Sequence, residues 1–219
     1  SEWTNYPPPA TRLPVVGSYV KPSIEKIASL QPTVVVALSE GYNHVSESLE
    51  RLNIPLATWS LKKLDDYPHV LQSLGTRFSA VQVAEKQIQI WHSNWKRFEA
   101  VRPSTVKPTV LMLLQVDPFI VAGNDSFLSD IASRCGFTNV IDEAGYLSLS
   151  VEKAIVLKPS VTVYFAPVME KSRVIQSIEK RMGRTLMLFP NDVISRVGPR
   201  LPKEAWRFCQ HLHSQRIPP

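Results

Sequence analysis

Between Ser79 and Val101 the chain reads SAVQVAEKQIQIWHSNWKRFEAV, and this stretch limits the possible folds more than any other. Apolar residues fall at Val81, Ala84, Ile88, Trp91, Trp95 and Phe98, in steps of three and four, so all six share one helical face. Glu85, Lys86, Gln89, Asn94 and Lys96 occupy the other face and are expected in water. Ser79 is expected to cap the start, and Arg102-Pro103 to stop the helix, because proline disfavours helical geometry in the residue before it. At about 1.5 Å per residue such a helix is roughly 35 Å long, enough to span a small domain. On both sides, strand-like apolar runs alternate with helix-like segments. The layout predicted is one rigid helix holding two α/β lobes apart, with a cleft between them.

In the first flank, residues 22–30 predict a short helix, and TVVVAL (33–38) predicts a strand buried on both faces, as in a parallel sheet. SEGYNH reads as a loop at the carboxyl end of that strand, the edge where open α/β sheets bind ligands. A helix over 45–52, the strand IPLATW, and a helix over 61–74 capped by Asp65 or Asp66 and ended by Gly75 follow. The second flank repeats the plan. Its strands are 108–114, VTVYFA and TLMLF; their exit loops are QVDPFIVAGNDS, APVMEKS and PNDVISRVGPRLP. Its helices are 126–135, 150–157, 171–182 and 204–213, with Gly136 and Gly183 closing the first and third. SIEKIASLQPTVVVAL and SVEKAIVLKPSVTVYF are internal echoes: helix, proline, buried strand.

The 219 residues are 44% hydrophobic and 20% charged, enough for one large domain or two small lobes with real cores, and too apolar for disorder. The net charge of +6 is scattered rather than gathered, which describes a solvated basic surface and no nucleic-acid footprint. No apolar run approaches the ~20 residues of a membrane span. Cys135 and Cys209 are compatible with two buried thiols or one disulfide.

The sequence carries no GxSxG elbow, glycine-rich phosphate loop, HExxH or CxxC. His44 is the one histidine in a strand-exit loop; His92 flanks the apolar stripe, and His211 and His213 lie near the terminus. Glu40, Asp117, Asp125 and Asp192 also fall in exit loops, but spacing fixes no acid pair. What the exit loops and the opening segment supply is apolar: Trp3, Tyr6, Leu38, Tyr42, Pro118, Phe119, Phe127, Pro167 and Val193. That inventory suits a cleft holding a large, partly apolar molecule, or packing between lobes.

Three stretches carry a family resemblance. Residues 1–37, SEWTNYPPPATRLPVVGSYVKPSIEKIASLQPTVVVA, resemble the first-lobe signature of periplasmic substrate-binding proteins of the helical-backbone class (class III), the cobalamin, ferric-siderophore and haem receptors of ATP-driven importers. VAGNDSFLSDIASRCGFTNVI with SLSVEKAIVLKPSVTV resembles the second-lobe signature, and FPNDVISRVGPRLPKEAWRFCQHL the closing segment, above all that of cobalamin-binding members. The resemblance implies an α/β fold of two Rossmann-like lobes with parallel sheets. These would be a lobe over 1–78, a backbone helix over 79–101 and a lobe over 102–219. It implies a non-enzymatic receptor in the periplasm that captures a corrinoid, ferric siderophore or haem between its lobes. No cofactor or metal of its own and no nucleic acid are implied, and delivery is to an inner-membrane ABC permease.

Carried over by position, the ligand-binding candidates are Trp3, Tyr6, Leu38, Ser39, Glu40 and Tyr42 from the first lobe. From the second they are Asp117, Phe119, Phe165, Asp192, Val193 and Arg196. Leu38 and Val193 stand where cobalamin binders present tryptophans. His44 and Ser195 stand at the positions of the permease-docking glutamates, and Glu40 and Glu47 are the nearby substitutes. Cys135 and Cys209 match a second-lobe disulfide of cobalamin-binding relatives. Relatives also carry a strand, a helix and a second strand before the position of Ser1, so a first lobe with a truncated sheet and an open strand edge is expected. A two-lobed α/β enzyme acting on a metallocofactor, or an orphan sensor of the same fold, are the other readings.

Overall fold

The computed structural model describes residues 4–18, 21–100, 108–166 and 172–214, apart from the side chains of 40–44, 100 and 191. Trp3, the 167–171 exit loop and the Arg102-Pro103 stop lie outside these residues, as do the side chains of Glu40, Tyr42 and His44. The chain divides into two compact units, Ser1–Ser60 and Leu61–Pro219.

The first unit holds α1 (Ile24–Ser29), β1 (Val35–Leu38), α2 (Ser39–Arg51) and β2 (Leu56–Trp59). β1 and β2 pair in parallel, from Val35 opposite Leu56 to Leu38 opposite Trp59. Ile27, Val45 and Leu49 form the core, with Ile24, Val35, Ile54 and Leu56 packed against it. Two expectations need correction. α2 starts at Ser39, directly after β1, so SEGYNH is helix rather than loop. β1 is not buried on both faces, because among the described residues its sheet has two strands, and Val36 is 48% exposed.

In the second unit, α3 (Asp66–Arg77) and α4 (Val81–Trp95) precede a six-stranded sheet. Its strands are β3 (Thr109–Val116), β4 (Phe119–Ala122), β5 (Thr138–Asn139), β6 (Tyr146–Ser148), β7 (Val161–Ala166) and β8 (Met187–Pro190). Their order is β6-β4-β3-β7-β8, with β5 alongside the start of β3. β3, β5, β7 and β8 are parallel, as expected of the lobe, whereas β4 and β6 add an antiparallel edge. The helices α5 (Phe127–Arg134), α6 (Val151–Val156), α7 (Arg173–Met182), α8 (Asn191–Ile194) and α9 (Leu201–Ser214) complete it. All six residues of β7 are buried, the pattern of a strand covered on both faces.

The apolar stripe is largely where the periodicity places it. Ala84, Trp91, Trp95 and Phe98 are buried, while Glu85, Lys86, Gln89 and Lys96 are exposed; Val81, at the start, is half exposed. Beyond Trp95 the helix tightens to a 3-10 turn over Lys96–Ala100. Ser79 does not cap it: its φ is +53°, in the tight turn from α3, and Ala80 takes the capping position without a side-chain bond. The stripe faces the core of the second unit, where Trp91 and Trp95 join Leu64, Phe98, Val110 and Phe208, with Tyr67 and Trp206 packed against them.

The echo in sequence is an echo in structure. Ser23 caps α1 by accepting the Lys26 N–H, and Ser150 caps α6 by accepting the Lys153 N–H. Each helix is left through a residue of positive φ just before a proline, Gln31 (+46°) and Lys158 (+47°). Cys135, which ends α5, is disulfide-bonded to Cys209 in α9, their Cα atoms 5.1 Å apart.

Candidate functional site

In the second unit the candidates gather at one sheet edge because β3, β7 and β8 run parallel. Leu113, Tyr164 and Leu188 are in register, and so are Ala166 and Pro190, so the three carboxyl ends share an edge. β3 ends there in a tight hairpin. Phe119–Ala122 returns antiparallel to it, so the segment read as an exit loop is a strand, and only Asp117-Pro118 forms the tip. Gln115 Nε2 donates to the Asp117 carbonyl at 2.6 Å, which leaves the Asp117 carboxylate exposed beyond the strand.

β8 passes directly into α8. Asp192 and Arg196 are one helical turn apart, and the Arg196 guanidinium lies 3.4 Å from the Asp192 carboxylate, both about half exposed. Val193 is partly buried between them. Exposed pairs of this kind contribute only ~0–1 kcal/mol of stability.

Two of the aromatic candidates do not reach this edge as surface. Phe165 is fully buried, in ring contact with Phe189 at 6.4 Å and Phe208 at 5.4 Å. Phe119 is 7% exposed and packs with Leu111, Leu113 and Val121 on the other face of the sheet. Both are core residues, because each points into a sheet face that a helix layer covers; Phe127, at the start of α5, is buried in the same cluster as Phe165. Beside the hairpin tip lies an open depression of about 550 Å³, rimmed by Asp117, Glu152, Arg173 and Arg181. Sequence reasoning did not single it out, since it forms only where α6 and α7 meet the hairpin. Arg181 donates to Glu152, whose carboxyl is held below the usual glutamate range by its own backbone N–H and then by that guanidinium.

In the first unit Leu38 and Ser39 sit at the strand-to-helix junction, both partly exposed, at the carboxyl end of β1. Tyr6 is 47% exposed, and the backbone of Glu40 and Tyr42 lies in the first turn of α2. Glu47 is exposed two turns further on, where its carbonyl accepts from Arg51 Nε. Among the described residues no three His, Cys, Asp or Glu side chains form a metal-holding group, and no helix is long and apolar enough to cross a membrane. His213 does not face solvent alone: it hydrogen-bonds the Cys135 carbonyl at 2.9 Å and packs edge-on against Phe137. His211 lies against Phe189.

A family model described as "Periplasmic binding protein" matches residues 1–183. The chain belongs to the periplasmic binding protein family. Among relatives of this binding protein, the vitamin B12-binding protein of Pectobacterium atrosepticum is 25% identical, with 100% of this chain and 81% of that one aligned. That of Pectobacterium carotovorum is 24% identical over 97% of this chain and 79% of its own. Solved structures share the fold. A periplasmic haem-binding protein from Pseudomonas aeruginosa gives a TM-score of 0.82 at 23% identity, over 100% of this chain and 85% of that one. The periplasmic vitamin B12-binding protein of Vibrio cholerae gives 0.77 at 22% identity, over 98% and 88%. The α/β fold expected of the binding protein is therefore shared with these structures, and these relatives carry the names of binding proteins.

Proposed function

We propose that this binding protein captures a large metal-containing ligand, a corrinoid, ferric siderophore or haem, in the periplasm and delivers it to an inner-membrane ABC permease without turning it over. The observation that carries this reading is the alignment of the whole chain with vitamin B12-binding relatives. The ligand groups are Trp3, Tyr6, Leu38, Ser39, Glu40 and Tyr42 from the first unit, with Asp117, Asp192, Val193 and Arg196 from the second. Phe165 drops out of the set on burial, while Phe119, mostly buried, keeps a place in the wall of the depression beside Asp117. Glu40 and Glu47 are the permease-facing acids. The division into lobes over 1–78 and 102–219 with a spacer helix over 79–101 belongs to the same proposal, whereas by compactness residues 61–78 and α4 pack with the second unit.

The arrangement fits capture by surface rather than by chemistry. Val193 and Leu38 give apolar contact, and Asp192, Arg196 and Asp117 give polar contact at the strand ends. The test is titration of the purified protein with cyanocobalamin, haem and a ferric siderophore, followed by tryptophan fluorescence. Saturable binding of one with the ligand recovered intact is expected. Absence of binding to all three in the full-length protein would overturn the proposal, and recovery of an altered ligand would favour an enzyme.

A further inference from the structure

The depression beside the β3–β4 tip lies wholly within the second compact unit, between the hairpin, the start of α6 and one face of α7. A bulge shapes its first wall. The β3–β4 register shifts between Leu113 and Gln115, so Val116 turns to the sheet face that Leu111 and Leu113 occupy, where strict alternation would have put it on the opposite one. Val116 thereby lines the depression, and Gln115 fastens the tip by donating from Nε2 to the Asp117 carbonyl at 2.6 Å. The floor is apolar and packed: Phe119, Leu149 and Ile178 are 7%, 8% and 4% exposed. Arg173, Ser177 and Arg181 recur every fourth residue of α7 and share the remaining wall.

The charges of the rim are divided by wall: Asp117 and Glu152 stand on the hairpin and α6, Arg173 and Arg181 on α7. Glu152 is taken by Arg181, which donates to it. Arg173 lies two turns earlier, roughly 12 Å along the helix axis from Arg181, and has no share in that pair. Among the described residues, neither the Asp117 carboxylate nor the Arg173 guanidinium makes an ion pair or a side-chain hydrogen bond. One acid and one base are thus unmatched over an apolar floor, in a depression of about 550 Å³, a size typical of small-molecule sites. We propose that it binds a small zwitterion with an apolar body, a free amino acid or dipeptide of the leucine type. The ligand's ammonium meets Asp117, its carboxylate meets Arg173, and its side chain covers Phe119 and Leu149. A simple anion would be repelled by Asp117 and a simple cation by Arg173, whereas a ligand carrying both charges satisfies both groups with charge-assisted hydrogen bonds. The inference does not rest on the capture proposed above, since all its residues belong to one unit.

Isothermal titration of the full-length protein with L-leucine and with L-leucyl-L-leucine tests the site, and methyl NMR locates the binding. Saturable binding of at least one is expected, with shifts at the methyls of Val116, Leu149, Val174 and Ile178. Asp117→Asn and Arg173→Gln are each expected to weaken it about tenfold, the scale of a lost charge-assisted bond; both positions are exposed, so folding is retained. Isoamylamine and 4-methylpentanoate, which carry one charge each on a similar apolar body, are expected to bind about tenfold more weakly than the zwitterion. Binding of neither zwitterion at millimolar concentration overturns the proposal, as do shifts confined to methyls elsewhere or affinity unchanged in both variants. A singly charged probe that binds as tightly as the zwitterion overturns the ligand class. Titration with cyanocobalamin, haem or a ferric siderophore decides the capture proposal separately, whatever the outcome here.

Discussion

Gly75 in α3 lies so close to Ala84 in α4 that a Cβ on Gly75 would come within 2.5 Å of the Ala84 Cβ. This glycine looked in sequence like the end of a helix. It is instead a buried interior residue of α3, and its missing side chain lets the two helices meet. Gly75→Ala improves helix propensity by roughly 1 kcal/mol but overpacks the contact at a typical cost of about 1–3 kcal/mol. A net loss of stability in urea is expected, with recovery in the Gly75→Ala/Ala84→Gly double variant. A cycle without coupling would show the helices free to separate there.

Phe165 separates packing from binding. Its place against Phe189 and Phe208 predicts that Phe165→Ala destabilises the protein by about 3–5 kcal/mol. Phe165→Leu, milder in volume change, should leave ligand affinity unaltered. Denaturant midpoints and ligand titrations on the same preparations check both.

The Cys135–Cys209 bond closes a separation of 74 residues around most of the second unit's sheet. In the chain-entropy model a loop of that size contributes about 4 kcal/mol. The native protein is expected to show no titratable thiol, two after denaturation and reduction, and a lower denaturant midpoint when reduced. Two thiols titrating in the native state would contradict the bond.

Glu143 and Glu152 report on the surface of α6. Glu143 is lowered by its own backbone N–H and then by Lys153, 3.2 Å away; Glu152 is lowered by its own backbone N–H and then by Arg181. Because the folded state lowers both, their contribution is present above the unfolded-state value and lost as pH falls through the folded one. Carboxyl NMR titration should place both midpoints below that of an ordinary glutamate. Lys153→Met and Arg181→Met should raise them, one each, with little change in stability since both pairs are exposed.

Leu38 and Val193 predict ligand preference. Both are aliphatic at strand ends, so neither offers a flat ring to a ligand. Leu38→Trp and Val193→Trp are each expected to tighten cyanocobalamin binding up to about tenfold, from an aromatic contact worth roughly 0.5–1.5 kcal/mol. Isothermal titration of the single and double variants measures this; unchanged affinity in both would place the ligand away from these strand ends.

Local signals were legible in the sequence wherever a few adjacent residues decide the outcome. The period of Ala84, Trp91, Trp95 and Phe98, the αL glycine after α7 and the strand-forming run of β7 follow from helix and strand geometry that neighbours alone impose. The β4 strand was not legible, because four apolar residues after Asp117-Pro118 make a strand only once β3 and β6 offer backbone partners. Position at a strand's carboxyl end likewise could not tell Asp192, exposed on α8, from Phe165, sealed among Phe189 and Phe208.

By itself, then, the sequence determined the alternation of elements, the face of α4 that is apolar and the family to which the chain belongs. The three-dimensional packing alone decided that α4 spends its aromatic face on the second unit's core, that Gly75 is an interior contact and that Phe165 is scaffold. Periodicity records which residues avoid water, and it is silent on which neighbour shields them; burial arises between segments far apart in the chain, so it can be read only after they have met.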